Sequence, residues 1–321
     1  MKIEASIAAF TPCNDRFVTG GYKEAVPFEK QCEIISGIEN IAALPLLYDD
    51  KAQDPVLLRK FLAGFGLRAG TICPDNYTTA HWKDGSLANR DPRKRREIIS
   101  RCKDAMDYCV AVGGVDVMLW LAHDGYDYPF EDEYATRWDY IAECLHEIAS
   151  YRSDVNVTIE YKKNEPRTYQ YIADVGKALL MCEQVGLKNL GVIIDYGHAL
   201  FGGENPAESV ALVHKFKRLF HIHLNDNYRR ADDDLILGSV SLWETLEFFY
   251  QLDSVGYDGW YVMDIYPGRI DGSAATKEFV ARALGLLKMA RSLPKAEITR
   301  MKAENNVCGL LKLLREYTLK Y

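Results

Sequence analysis

The chain has 321 residues, 48% hydrophobic and 26% charged, with a formal net charge of −7. Such a composition supplies a sizeable core for a soluble protein, and α/β barrels of this length form one domain. The acidic balance argues against a nucleic-acid-binding surface, and no run of 18 apolar residues is present to span a membrane. The N-terminus "MKIEASIAAF" lacks the basic-then-apolar shape of a signal peptide, so a cytoplasmic location is expected. Eight cysteines are scattered singly with no C-x-x-C, which reads as reduced, mostly buried thiols.

In chain order, short β-like runs alternate with longer helical ones. Strands are predicted over residues 2–10, 39–47, 66–73, 115–122, 155–160, 190–195, 219–224 and 259–266. Between them lie amphipathic stretches. Residues 92–113 place Ile98, Ile99, Cys102, Ala105, Met106, Cys109 and Val110 on one face and stop at Gly113-Gly114. The basic run Arg90 to Arg96 opens that helix and reads as its solvated start. Residues 133–151 and 168–186 repeat the helical pattern. Eight such units predict an α/β fold, a (β/α)8 TIM barrel over residues 1–292. No G-x-G-x-x-G follows an early strand, which disfavours an open doubly wound sheet. Residues 293–321 read as a C-terminal helical tail.

In a barrel, chemistry gathers where the strands end. Strand five ends at Glu160, strand six at Asp195 with His198 just beyond, strand seven at His223 and strand eight at Asp264. A lone Asp at a strand end is more often a helix cap, but capping does not select His. Four consecutive strand ends bearing oxygen and nitrogen ligands predict a divalent-ion site. The loop "NDNYRRADDDLILG" adds Asp232 and Asp234, which with His198 make a second candidate site. Of the two histidines in "HIH", His221 is expected deeper in the barrel as a hydrogen-bonded core residue. Lys162 stands two residues after Glu160, in the mouth of the barrel, where its charge can stabilise a developing oxyanion.

The segment "IEYKKNEPR" resembles the Ile-Glu-Pro-Lys-Pro-Asn-Glu-Pro-Arg of xylose isomerases, and "LFHIHLNDNYRRADDDLILG" resembles their strand-seven segment. "WKDGSLANRD" (82–91) is similar to their Lys-Asp-Gly loop, and Trp120 matches their active-site Trp. The chain is thus identified as a member of the xylose isomerase-like TIM barrel superfamily. Asp195 and His223 depart from the xylose isomerase pattern toward the L-rhamnose isomerase type. That resemblance implies Glu160, Asp195, His223 and Asp264 for one ion, and His198, Asp232 and Asp234 for the other. It implies two divalent ions per subunit (Mn²⁺, Co²⁺ or Mg²⁺), with Lys162, Asp234 and Glu160 as catalytic residues. His81 lies near the position of the family's ring-opening histidine. Trp82, Trp120 and Tyr266 are expected to wall the apolar face of a sugar.

The activity implied is isomerisation of a free aldose, rhamnose-, lyxose- or apiose-like, to its ketose by a hydride shift. A ketose 3-epimerase is the second reading, but a shorter Asp264 in place of glutamate draws its carboxylate back by about 1.5 Å. An endonuclease on the same barrel would need a positive groove, which this charge does not favour. The partner expected is a small-molecule sugar, with neither nucleic acid nor membrane. A homo-oligomer, dimer or tetramer, is expected from the apolar tail residues Val307, Leu310, Leu311, Leu313 and Leu314, which either clamp a neighbouring subunit or pack back on their own barrel.

Overall fold

The structure is a computed structural model describing residues 1–319. Eight parallel strands close into a barrel: β1 (Lys2–Ala5), β2 (Ile41–Tyr48), β3 (Arg68–Pro74), β4 (Val117–Trp120), β5 (Val157–Glu160), β6 (Leu190–Asp195), β7 (Leu219–Leu224) and β8 (Trp260–Met263). Each strand hydrogen-bonds its neighbours in chain order, and β8 returns to β1 with Glu4 opposite Val262. The predicted (β/α)8 TIM barrel is therefore the fold.

Local sequence explains where the elements start and stop. Asp91 caps the long helix Pro92–Val112 by accepting from the Arg93 N–H at 2.8 Å, with Pro92 in the first turn. Gly113 ends it in the left-handed region at φ 77°. The predicted face of this helix is buried from Ile98 to Cys109, but Val110 is exposed because it falls one turn-step off the stripe. Two predicted elements are shorter than expected. The first strand stops at Ala5 because Ser6 caps a 3₁₀ turn, Ile7–Phe10, through the Ala8 N–H. The helix expected over 168–186 begins only at Val175, where Asp174 caps the Lys177 N–H. Tyr169–Gln170 instead pairs antiparallel with Gly125–Tyr126, a small ribbon above the barrel mouth.

Inside the barrel, polar side chains lie in two tiers. His221 and His223 are two residues apart on β7 and so face the same side. His221 sits in the lower tier, with Nδ1 2.9 Å from Asp116 Oδ2 and Nε2 3.4 Å from Glu4 Oε1. The carboxylate can only accept, so Nδ1 carries the proton. Glu4 also accepts from the Thr71 N–H at 2.8 Å, and burial pushes its carboxyl above the usual range. This is the hydrogen-bonded core histidine expected from sequence, although Glu4 and Asp116 were not foreseen. His223 belongs to the upper tier, at the mouth.

Beyond Ser292 the chain forms helices Lys295–Ala303 and Val307–Thr318. Ile298, Met301 and Leu313 are buried, and Leu310 and Leu314 face Leu246 and Tyr250 of helix Leu242–Ser254. The tail packs back on its own barrel, while Val307 and Leu311 stay exposed.

The Glu4 cluster makes the backbone of β3 sensitive to one methyl group. A Cβ at Gly70 would lie 2.0 Å from Glu4 Oε2, a buried oxygen with no room to retreat. Gly70→Ala should therefore cost about 1–3 kcal/mol. Gly64→Ala, with nothing within 4 Å of the new carbon, should be neutral or stabilising by about 0.4–1 kcal/mol. Urea midpoints for the two variants check this.

Candidate metal centre and active site

Four consecutive strands deliver the candidate ligands. Glu160 and Asp195 are the last residues of β5 and β6, His223 lies one residue from the end of β7, and Asp264 directly follows β8. Strand register aligns them, pairing Asp195 with His223 and Val262 with His223. One coordinating atom from each of the four lies within 4.8 Å of all the others. No other group of His, Cys, Asp or Glu among the described residues meets that condition.

The donor set fits a divalent cation. His223 Nδ1 is 3.3 Å from Glu160 Oε1 and 3.4 Å from Asp264 Oδ2. Yet neither ring nitrogen of His223 makes a hydrogen bond, although both are buried. A buried polar atom without a partner is costly, and a cation amid these oxygens would satisfy Nδ1. The set is oxygen-rich with no thiolate, a chemistry that suits Mn²⁺, Co²⁺ or Mg²⁺.

His198, Asp232 and Asp234, the second set expected from sequence, line one cavity with Glu160, His223 and Asp264 but do not meet that 4.8 Å condition. Asp195 caps helix Tyr196–Gly202, accepting the His198 N–H at 2.7 Å, and so serves as a helix cap while also offering an oxygen to the four-residue set. That helix turns His198 inward. Its Nδ1 is 3.0 Å from the Tyr161 carbonyl, which can only accept, so Nδ1 bears the proton and Nε2 is free to coordinate. Nε2 faces Asp232 Oδ2 at 3.0 Å, and Asp232 Oδ1 is buried without a partner. Asp234 sits at φ 45°, a left-handed conformation that Asp tolerates, and its carbonyl accepts the Tyr266 N–H at 3.1 Å.

Lys162 is buried and reaches across to Asp232 Oδ2 at 2.8 Å, with Nζ 5.3 Å above the Trp120 ring. Both candidate sets, Lys162, Trp120 and Tyr266 line one cavity of about 480 Å³, except Asp195, which lies beneath its floor. The remaining wall, from β1 to β4 and β8, is largely apolar: Ile7, Leu46, Cys73, Met118 and Val262. His81 and Trp82 do not line it. His81 is exposed on the far side of its 3₁₀ turn, 2.7 Å from Glu97, and Trp82 is buried in the core beneath. The turn Ala80–Trp82 swings both away, a placement that proximity to the Lys-Asp-Gly loop could not reveal. Sequence reasoning also missed Tyr77 and Cys73, whose hydroxyl and thiol face each other at 3.8 Å in the cavity wall. Their signal was position alone, at and just past the end of β3.

The electrostatics follow from crowding charge in a buried place. Burial opposes charge on His198, but Asp195 and Asp232 outweigh it and push the imidazole up to about 10. Burial likewise opposes charge on His223, and Glu160 and Asp264 hold it well above the ordinary range. Burial, with Asp232 and Glu160 nearby, lifts Asp195 to about 6. Burial and then Asp232, Asp264 and Asp195 raise Asp234 well above the usual carboxyl range. Asp232 runs the other way, since His198 and Lys162 overcome its burial.

A raised histidine pKa fixes the sign of the pH dependence. His198 contributes stability that is fully present below about 6.5 and lost as pH rises through about 10. Chelator-treated protein should therefore melt at progressively lower temperature between pH 7 and pH 10, and His198→Gln should flatten that decline. Because a coordinating imidazole must be unprotonated, Mn²⁺ added near pH 7 should release protons into weakly buffered solution. A differential melting series and a pH-stat titration read the two effects.

Comparison with known proteins places this geometry. Residues 35–284 match the family described as xylose isomerase-like TIM barrel. The xylose isomerase of Thermus thermophilus is 28% identical over 207 residues, 63% of this chain and 54% of that protein. The chain therefore spans about half the length of this curated relative. Among solved structures, that of L-ribulose 3-epimerase matches with a TM-score of 0.72 at 16% identity, covering 93% of this chain and 98% of the other. D-psicose 3-epimerase, in a structure obtained with D-fructose, matches with a TM-score of 0.70 at 14% identity, over 89% and 99%. At such identities these two likenesses speak for the fold.

Proposed function

The chain belongs to the xylose isomerase-like TIM barrel family, and we propose that it is a divalent-metal-dependent isomerase interconverting a free aldose and its ketose. The observation that carries this reading is the convergence of four ligand atoms within 4.8 Å, three of their residues lining one cavity of sugar size together with a buried lysine. Glu160, Asp195, His223 and Asp264 would hold one ion, and His198, Asp232 and Asp234 a second. When bound, such ions supply Lewis acidity toward the substrate's O1 and O2.

The chain's own residues supply the rest. Asp234 would take the proton from O2, and that proton returns at O1 once the hydrogen of C2 has moved to C1 with its electron pair. Lys162 would stabilise the negative charge that develops on O1 meanwhile. No carboxylate acts as a base at carbon in this scheme. Trp120 and Tyr266 would flank the sugar and keep water from it. Among the described residues, Lys162 is the one Lys or Arg lining the cavity, and Asp232 already engages it. A phosphate would find no cationic cradle there, which supports an unphosphorylated sugar. Among the rhamnose-, lyxose- and apiose-like sugars, the apolar wall of Leu46, Met118 and Val262 favours the deoxy one, whose terminal methyl it could cover.

A ketose 3-epimerase is the second reading, and one observation favours it: only the first ligand set is tight. In that case one ion would suffice, and a carboxylate would exchange a carbon-bound proton with solvent.

Exhaustive chelation should abolish ketose formation from a panel of aldopentoses and 6-deoxyhexoses, and Mn²⁺, Co²⁺ or Mg²⁺ should restore it. Full turnover at confirmed near-zero metal content would sink the metal-dependent reading. Turnover in D₂O separates the two mechanisms. A hydride shift leaves C1 of the ketose essentially free of deuterium by NMR, whereas near-complete incorporation would favour proton transfer and the epimerase. Lys162→Met should lower turnover by roughly 10²- to 10³-fold while ion binding survives, as expected for losing one preorganised charge.

A further inference from the structure

Asn225 follows β7 directly and is completely buried, two residues past the metal-capable His223. Its Oδ1 accepts the Gly197 N–H at 2.7 Å. Only the amide oxygen can accept, so this bond fixes the orientation of the side chain and turns Nδ2 the other way. From there Nδ2 donates to Asp195 Oδ2 and to Asp234 Oδ1, each at 3.2 Å. One amide hydrogen serves each carboxylate, and every polar atom of the side chain is used.

The surroundings are built for this placement. Gly197 has to come close, since a Cβ there would lie 2.3 Å from Asn225 Oδ1. Asn227 secures the same glycine from the other side, donating from Nδ2 to its carbonyl at 2.8 Å. Asp226 between them accepts from the Val240 and Ser241 N–H groups, anchoring the loop that carries Asp234.

Asp195 belongs to the tight ligand set and Asp234 to the second. We propose that Asn225 is a positioning residue that sets the two metal groups in register, by holding one carboxylate of each with a single rigid amide. It places a donor between the two carboxylates: Asp195, whose Oδ1 already accepts the His198 N–H, is fixed through both oxygens, while Asp234 is held by Oδ1 alone. This rests on the metal-dependent reading above.

Mn²⁺ titration by calorimetry, with electron paramagnetic resonance as a second readout, tests the idea on wild type, Asn225→Ala and Asn225→Ser. The expected result is two sites in wild type, both weakened roughly 10- to 100-fold in Asn225→Ala, the usual scale for a partner that orients ligands. Asn225→Ser, which keeps one short donor, should fall between, and it decides the matter by the same criterion if the alanine variant is insoluble. A packing role would instead lower the melting temperature equally with and without Mn²⁺ and leave both affinities unchanged. That outcome, or weakening of one site alone, overturns the proposal. Wild-type protein that binds no Mn²⁺ would overturn the metal-dependent reading itself, and this inference with it.

Discussion

Three carboxylates and an imidazole converge at the mouth of this barrel with their coordinating atoms within 4.8 Å of one another. Like charges at that range in a buried place repel strongly, because little water is present to screen them. The arrangement is tolerable only with protons or a cation between them. The displaced titrations of Asp195 and His223 express this conflict, and those of His198 and Asp234 extend it to the neighbouring Asp232. So does Lys162, drawn into contact with Asp232 instead of extending to solvent.

A parallel barrel is suited to holding such a cluster. Each ligand hangs from the end of a strand whose backbone is hydrogen-bonded on both sides, so its Cα cannot relax away from its neighbours. Beneath it lies a second polar tier, where His221 lies between Asp116 and Glu4. That lower tier makes its own demand on the backbone, seen in the lack of a side chain at Gly70. The cavity is also divided by chain position. β5 to β8 and the loops after them bring the charged groups, while β1 to β4, joined by Val262 of β8, bring mostly apolar wall. One half can hold ions and oxygens, and the other can shield the carbon skeleton.

Much of this was legible beforehand. The eight strands follow from β-branched runs, and two of them, 190–195 and 219–224, match the observed limits at both ends. Strands were overextended where a local side chain competed with the ladder, as Ser6 does after β1. The helix over 168–186 was overextended because Tyr169 and Gln170 pair with a distant segment, something periodicity does not encode. His81 and Trp82 were placed at the site by sequence proximity to a familiar loop. A single 3₁₀ turn, whose direction depends on what packs beneath it, sends them elsewhere.

The sequence by itself determined the fold class, the strand ends that carry metal-capable side chains, and the position of Lys162 beside them. Those features are periodic or local, and alternation along a strand fixes which residues share a face. Tertiary structure alone decided which side chains meet. Nothing in the order of residues says that Glu4 and Asp116 share His221, or that Asn225 lies between Asp195 and Asp234. Those contacts join residues from 9 to 217 positions apart, and closing the barrel is what brings them within reach. The sequence thus named the chemical groups, and the closed ring of strands set the distances at which they act.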